Sequence, residues 1–179
     1  DRGHIGSATL HAQDTAWGAL GYVVENAWLG QILIRQLQSE HRIELVSPAT
    51  VSAVTPVAGA IKINVLENEQ PYQLTAKLLV VADGANSSLR QKLGIATNTR
   101  DYKQQALIAN VGLQQHHDHW AFERFTDTGP MAMLPLLDGA GGEHRSALIW
   151  TLPAQRAEYL QACEDAEFIM ALQQRFGSR

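Results

Sequence analysis

Three stretches of this sequence gather side chains that could do chemistry. The first is "LLVVADGANSSLRQKLGI", residues 78–95, where an apolar run empties into Asp83 and Gly84, then Asn86, Ser87 and Ser88, then a short basic and apolar segment. Leu89 and Leu93 lie four apart, so the pattern reads as strand, tight turn and short helix, with the polar trio as capping residues. Such a junction brings an accepting carboxylate and donating backbone N–H groups to one sheet edge, an arrangement suited to sugar hydroxyls and, through water, to phosphates. The same residues also suffice for a turn that only caps an ordinary helix, and spacing does not choose between the two.

The second stretch is "HHDH", residues 116–119. Imidazole and carboxylate are competent metal ligands. Neighbours on a strand face opposite ways, however, and the stretch lies between two strand-like runs, so an exposed polar loop is expected and no metal site. On that reading His117→Ala should change nothing. The third, "DGAGGEH" at residues 138–144, has the glycines of a phosphate-cradling loop but a strand after it and no third glycine in register, so a flexible hairpin loop is expected. Ser, His and Asp all occur, yet no Gly-x-Ser-x-Gly elbow does, and Cys163 falls on a helix stripe where a small buried hydrophobe is the default. No catalytic acid, base or nucleophile is assigned.

The elements that must position these residues follow from periodicity. Trp28 or Leu29, then Ile32, Leu33, Gln36 and Leu37 recur at helical steps, which gives a helix over about 27–39 with Asn26 as its N-cap. "IELVSPATVSAVTPV" and "AIKINVL" are rich in β-branched residues, and Ile61, Ile63 and Val65 alternate with Lys62 and Asn64, as in strands with one wet face. "ENEQP" supplies a turn, "YQLTA" returns, and "KLLVVADG" reads as a strand buried on both faces. "QALIANVGLQ", "WAFERFTDTG", "PMAMLPLLDG" and "RSALIWTLP" then form an antiparallel meander, expected to curve. From Pro153 the pattern is helical, with Tyr159, Leu160 and Cys163 on one stripe, Phe168, Leu172 and Phe176 on another, and Asp165 starting a second helix. The class is α+β, with lobes at residues 1–97 and 98–179 meeting near the polar "ATNTRDYKQ".

Composition removes several classes of function. The 179 residues carry 14 basic and 18 acidic side chains, a net charge of −4, without a run of like charge, which argues against a nucleic-acid footprint. One cysteine cannot form an intramolecular disulfide or a CxxC knuckle, so a reducing compartment, the cytoplasm, is expected. No stretch reaches the ~18–20 apolar residues of a spanning helix. "DRGHIGSATL" lacks a leader pattern, and the missing initiator Met and the abrupt "FGSR" end lead to the expectation of a piece of a longer protein.

"DGANSSLR", residues 83–90, resembles the Asp-Gly-x-x-Ser-x-x-Arg motif of single-component flavoprotein aromatic hydroxylases of the para-hydroxybenzoate hydroxylase type. Its setting is similar too, an apolar run before it and a meander after it. "GYVVENAWLGQIL", "LLVVADGANSSLR", "ANVGL" and "AFERFTDTGPMAMLPL" resemble the ubiquinone-biosynthesis branch, especially hydroxylases of octaprenyl-methoxyphenols, and the resemblance covers nearly the whole chain.

The resemblance implies part of an FAD/NAD(P)-binding α/β lobe joined to a curved, mostly antiparallel substrate-domain sheet with flanking helices. It implies that Asp83 holds FAD near its ribityl and pyrophosphate region, that Gly84 allows close approach, and that Ser87 and Arg90 brace the turn or meet NAD(P)H. Asn26 matches the position of an amide against the flavin, beside its plainer reading as an N-cap. Phe122, Met131, Met133 and Leu134 lie where a prenylated phenol would rest, beside their plainer reading as core. The family's Gly-x-Gly-x-x-Gly loop and later Gly-Asp motif do not occur in this sequence. The implied activity is therefore that of a parent monooxygenase using FAD, NAD(P)H and O₂ in ubiquinone biosynthesis, peripheral to the inner membrane or to other enzymes of that route, with the fragment itself inactive. A related flavoprotein of the prenyl reductase or halogenase type, or a non-enzymatic α+β lipid-binding or interaction module, stays open beside it.

Overall fold

The computed structural model describes residues 6–177. It divides into two compact units, one of residues Leu29–Arg100 and one combining the described residues up to Trp28 with those from Asp101 onwards. Helix α1, Asn26–Ser39, runs across the boundary in sequence.

In the first of these units, β1 (Ala49–Val57), β2 (Ala60–Glu67) and β3 (Gln70–Ala76) form an antiparallel meander in sequence order. Asn68 and Glu69 take positive φ of 46° and 66°, which makes the two-residue turn between β2 and β3 twist with the strands it joins. Ile63 and Val65 are buried while Lys62 and Asn64 are exposed, as the alternation requires. The pairing of β1 with β2 slips between Val51 and Ala53. A bulge of this kind leaves the extra residue, Ser52, unpaired, and Lys92 of the short helix α2 (Ser88–Lys92) donates to two carbonyls there, Ser52 O at 2.9 Å and Val51 O at 3.3 Å.

Two strand expectations fail here. Residues 43–47 are not in a strand, and neither are residues 78–84, where Leu78 and Val80 are each 75% exposed. A strand buried on both faces needs hydrogen-bonding neighbours and covering layers. The β1–β3 meander supplies neither, and among the described residues no strand pairs with 78–84. The same holds for α1, whose stripe of Trp28, Leu29, Ile32 and Leu33 stays exposed.

The other unit carries a four-stranded antiparallel sheet in the order β4 (Gln104–Leu113), β7 (His144–Pro153), β6 (Pro130–Pro135), β5 (Phe122–Phe125). Along β7, Ser146, Leu148, Trp150 and Leu152 are buried and the residues between them half-buried. Leu148, Trp150 and Leu152 join Val111, Met131 and Met133 in one core with Ala157 and Leu160 of α3 (Ala154–Ala162) and Leu172 of α4 (Asp165–Phe176). The end of α4 is held from the sheet: the Arg124 guanidinium donates to the carbonyls of Arg175, at 3.1 Å, and Phe176, a cationic partner for the negative end of the helix.

One glycine in this sheet is fixed by contact. Gly129 has φ of +145°, and a Cβ there would lie 2.5 Å from Thr151 O. Gly129→Ala should therefore cost about 1–3 kcal/mol from backbone conformation alone, with the clash in addition, seen as a lower urea midpoint; an unchanged midpoint would contradict this packing.

Candidate functional site

The turn at 83–90 is built by its own hydrogen bonds. Gly84 has φ of +85°, a conformation L side chains rarely adopt, and a Cβ there would meet nothing within 4 Å. The glycine is thus required by backbone sign, and the space above it is open. Ser87, buried, is the N-cap of α2, its Oγ accepting from the Arg90 amide at 3.0 Å. The same hydroxyl hydrogen-bonds the Asp83 carboxylate, and this contact is the main cause that lowers the Asp83 pKa, with the Arg90 charge a smaller one. Arg90 Nη2 donates to Ala85 O at 2.7 Å, closing the turn, whereas its Nε is buried without a hydrogen-bond partner among the described residues.

The chemistry of this turn is therefore that of an exposed, firmly ionised carboxylate beside open backbone at Gly84, stiffened by Ser87 and Arg90. The Arg90 amide of α2 is already taken by Ser87, so the carboxylate is the principal recognition group. It accepts hydrogen bonds and cannot donate them. That acceptor fits a ligand rich in hydroxyls, such as the ribityl chain of FAD, and the orphaned Arg90 Nε marks a polar group the turn leaves unanswered.

Asn26 belongs to the other unit. It is the first residue of α1 and exposed, one position further into the helix than an N-cap would be. Its neighbour Glu25 carries a tie that sequence reading missed. Both Glu25 oxygens accept from Arg145, at 3.3 and 3.1 Å, and Oε1 also accepts from Asn110 Nδ2 at 2.9 Å. Arg145 in addition donates to Leu137 O through Nε and Nη2. The start of α1 is thereby pinned to β4 and β7. Partners 85 and 120 residues apart leave no local signal in the sequence.

The four residues assigned to a substrate wall are divided. Met131 is fully buried and Met133 7% exposed, both within the core against Leu148 and Trp150. Phe122 opposes Met133 in register and its ring meets Phe176 edge-on at 6.3 Å, so it shares that helix-covered side. Leu134, half-buried, points to the opposite face. Cys163 is half-buried between α3 and α4, with Sγ 3.3 Å from Leu160 O.

The three stretches differ in outcome. The loop at 138–144 does close the β6–β7 hairpin, with Gly139 N donating to Glu143 O at 2.9 Å. His116, Asp118 and His119 are exposed loop residues. His117 is not inert: it is 8% exposed and its Nε2 lies 2.9 Å from Leu136 O. Its removal leaves a buried carbonyl without its partner, so His117→Ala should cost about 1–3 kcal/mol, measured as a lower unfolding midpoint; an unchanged midpoint would contradict the bond.

Comparison with known proteins decides what this arrangement belongs to. The FAD binding domain family matches residues 28–179. This chain belongs to that family. Relatives include the ubiquinone hydroxylase UbiL of Rhodospirillum rubrum, 31% identical over 93% of this chain and 37% of that protein. The 3-demethoxyubiquinol 3-hydroxylase of Escherichia coli is likewise 31% identical, over 89% of this chain and 39% of that protein. The chain thus spans well under half the length of the relatives it matches. Among solved structures, the flavin-dependent halogenase CmlS aligns with a TM-score of 0.64 at 12% identity, over 84% of this chain and 27% of its own, a likeness of fold. No helix among the described residues is long and apolar enough to cross a membrane.

Proposed function

We propose that this chain forms part of the flavin site and the substrate-side sheet of an FAD-dependent monooxygenase that hydroxylates the ring of a prenylated phenol in ubiquinone biosynthesis. The observation that supports it most is the exposed Asp83 carboxylate, held ionised by Ser87 beside the open Gly84, in a chain of the FAD binding domain family. The relatives named as ubiquinone hydroxylases direct the reading to that branch.

The chemistry supplied by FAD, when bound, would be use of two electrons from NAD(P)H with O₂ so that one oxygen atom enters the ring and the other leaves as water. Asp83 would accept hydrogen bonds from the ribityl hydroxyls, and Gly84 would let the cofactor approach the backbone. Arg90 and Ser87 would hold the turn rigid. Asn26, pinned through Glu25, would offer an amide to the flavin. Leu134 would give the prenylated ring an apolar contact on the face away from the helices, whereas Phe122, Met131 and Met133 would shape the sheet from beneath. The substrate's prenyl tail is a lipid, so the protein would work in the cytoplasm at the membrane surface, beside other enzymes of the route.

The test supplies the native gene product with FAD, NAD(P)H, O₂ and a prenylated phenol. Substrate-stimulated NAD(P)H oxidation with a product heavier by one oxygen atom is expected. Incorporation of halide in place of oxygen, or oxidation of NAD(P)H with the ring unchanged, would overturn the hydroxylase reading.

A further inference from the structure

The turn after β4 and the hairpin loop between β6 and β7 emerge at the same end of the sheet, because Leu113, the last residue of β4, pairs with His144, the first of β7. Two imidazoles and a carboxylate meet there. His116, Asp138 and His144 each present a ligand atom, and these atoms all lie within 4.8 Å of one another. The rings of His116 and His144 are 5.1 Å apart, and those of His117 and His119 lie 4.6 and 5.7 Å from His116.

We propose that His116, Asp138 and His144 bind a divalent transition ion of the zinc type, clipping the two loops together. Two imidazole nitrogens and one carboxylate oxygen are the donors that zinc takes in sites with three protein ligands and a water. The ligand side chains are exposed or half-buried, so small rotations bring them onto an ion without disturbing the core.

The loops that carry them are fixed independently. His117, buried, is tied to Leu136 O, two residues before Asp138. Trp120 N donates to His117 O at 2.9 Å, and Gly139 N to Glu143 O, so both backbones are set before any ion arrives. Asp118 Oδ1 lies 2.9 Å from His116 Nδ1 and Asp138 Oδ1 lies 3.0 Å from His144 Nδ1. The Asp118 carboxylate orients the His116 ring, the part an outer partner plays at a metal centre, whereas Asp138 is itself a ligand and already lies beside its fellow ligand His144. Sequence spacing could not show the set, since "HHDH" supplies one ligand and a loop more than twenty residues away supplies the others.

The test is calorimetric titration of the tag-free full chain with zinc chloride, with thermal melts alongside. One zinc per chain and a melting temperature that rises with zinc are expected. His116→Ala and His144→Ala should each weaken binding about tenfold or more and abolish the zinc-dependent rise, while His41→Ala, far from the cluster in sequence and in the other unit, changes nothing. Melts in EDTA should be the same for all of these chains, and His116→Gln and His144→Gln serve if an alanine variant melts early. Zinc affinity that is unchanged in both the His116 and His144 variants, or that falls equally with His41→Ala, would overturn the proposal.

Discussion

Trp150→Ala is expected to cost about 3–5 kcal/mol, the range for emptying an aromatic site in a packed core. Trp150 is 2% exposed at the centre of β7, opposite Leu107 on β4 and Met131 on β6, with its ring edge-on to Phe168 of α4 at 6.1 Å. It therefore meets both neighbouring strands and a helix, and neighbours fixed in a sheet cannot close the cavity. A loss of that size approaches the whole stability of many domains. Urea unfolding followed by far-UV circular dichroism should show the transition of this unit moved to low denaturant or lost. Met131→Leu, which keeps volume in the same cluster, should cost less than about 1.5 kcal/mol. Equal effects from the two variants would contradict the packing described.

The second large effect falls on ligand rather than on folding. Asp83 is exposed, so Asp83→Ala removes little from any core and should leave the unfolding midpoint close to that of the parent. Its carboxylate is the principal acceptor of the turn, and a hydrogen bond to a charged group is worth roughly 1.5–3 kcal/mol. Flavin affinity of the native gene product should therefore fall about tenfold to a hundredfold. Asp83→Asn keeps the shape and one acceptor and should lie between. The Ser87 hydroxyl holds the Asp83 pKa below its ordinary value. A carboxyl whose pKa is depressed in the folded state gives its full contribution above the unfolded value and loses it as pH falls through the folded one. Flavin retention should thus stay level from neutral pH down into the ordinary carboxylate range and decline only below it, whereas Ser87→Ala should move that decline to higher pH. Unchanged flavin content in Asp83→Ala, measured by absorbance after gel filtration, would remove the residue from the site.

Elements with one wet face were legible from the chain because period-two alternation is a local signal. Ile63 and Val65 are buried against exposed Lys62 and Asn64 in the order their spacing dictates. The two terminal helices were legible from another local signal, apolar stripes at three- and four-residue spacing, with Asp165 opening α4 where the stripe shifts. The run at 78–84 was misread because its apolarity announces a need for partners without providing them. Likewise Met131 and Met133 have the residue type of a soft binding wall, but which face of a strand meets the helices is settled by α3 and α4. His117 could not be told from His116 and His119 in sequence, since burial of one imidazole in three depends on where Leu136 returns. The Glu25, Asn110 and Arg145 set is a purely tertiary event.

Hydrogen exchange on the native gene product, with and without FAD, tests the central claim most directly. If Asp83 and Gly84 meet the cofactor, amides across residues 84–90 should exchange more slowly once FAD is added, and Asp83→Ala should weaken that protection. Flavin that binds while exchange across residues 84–90 stays the same would contradict the account.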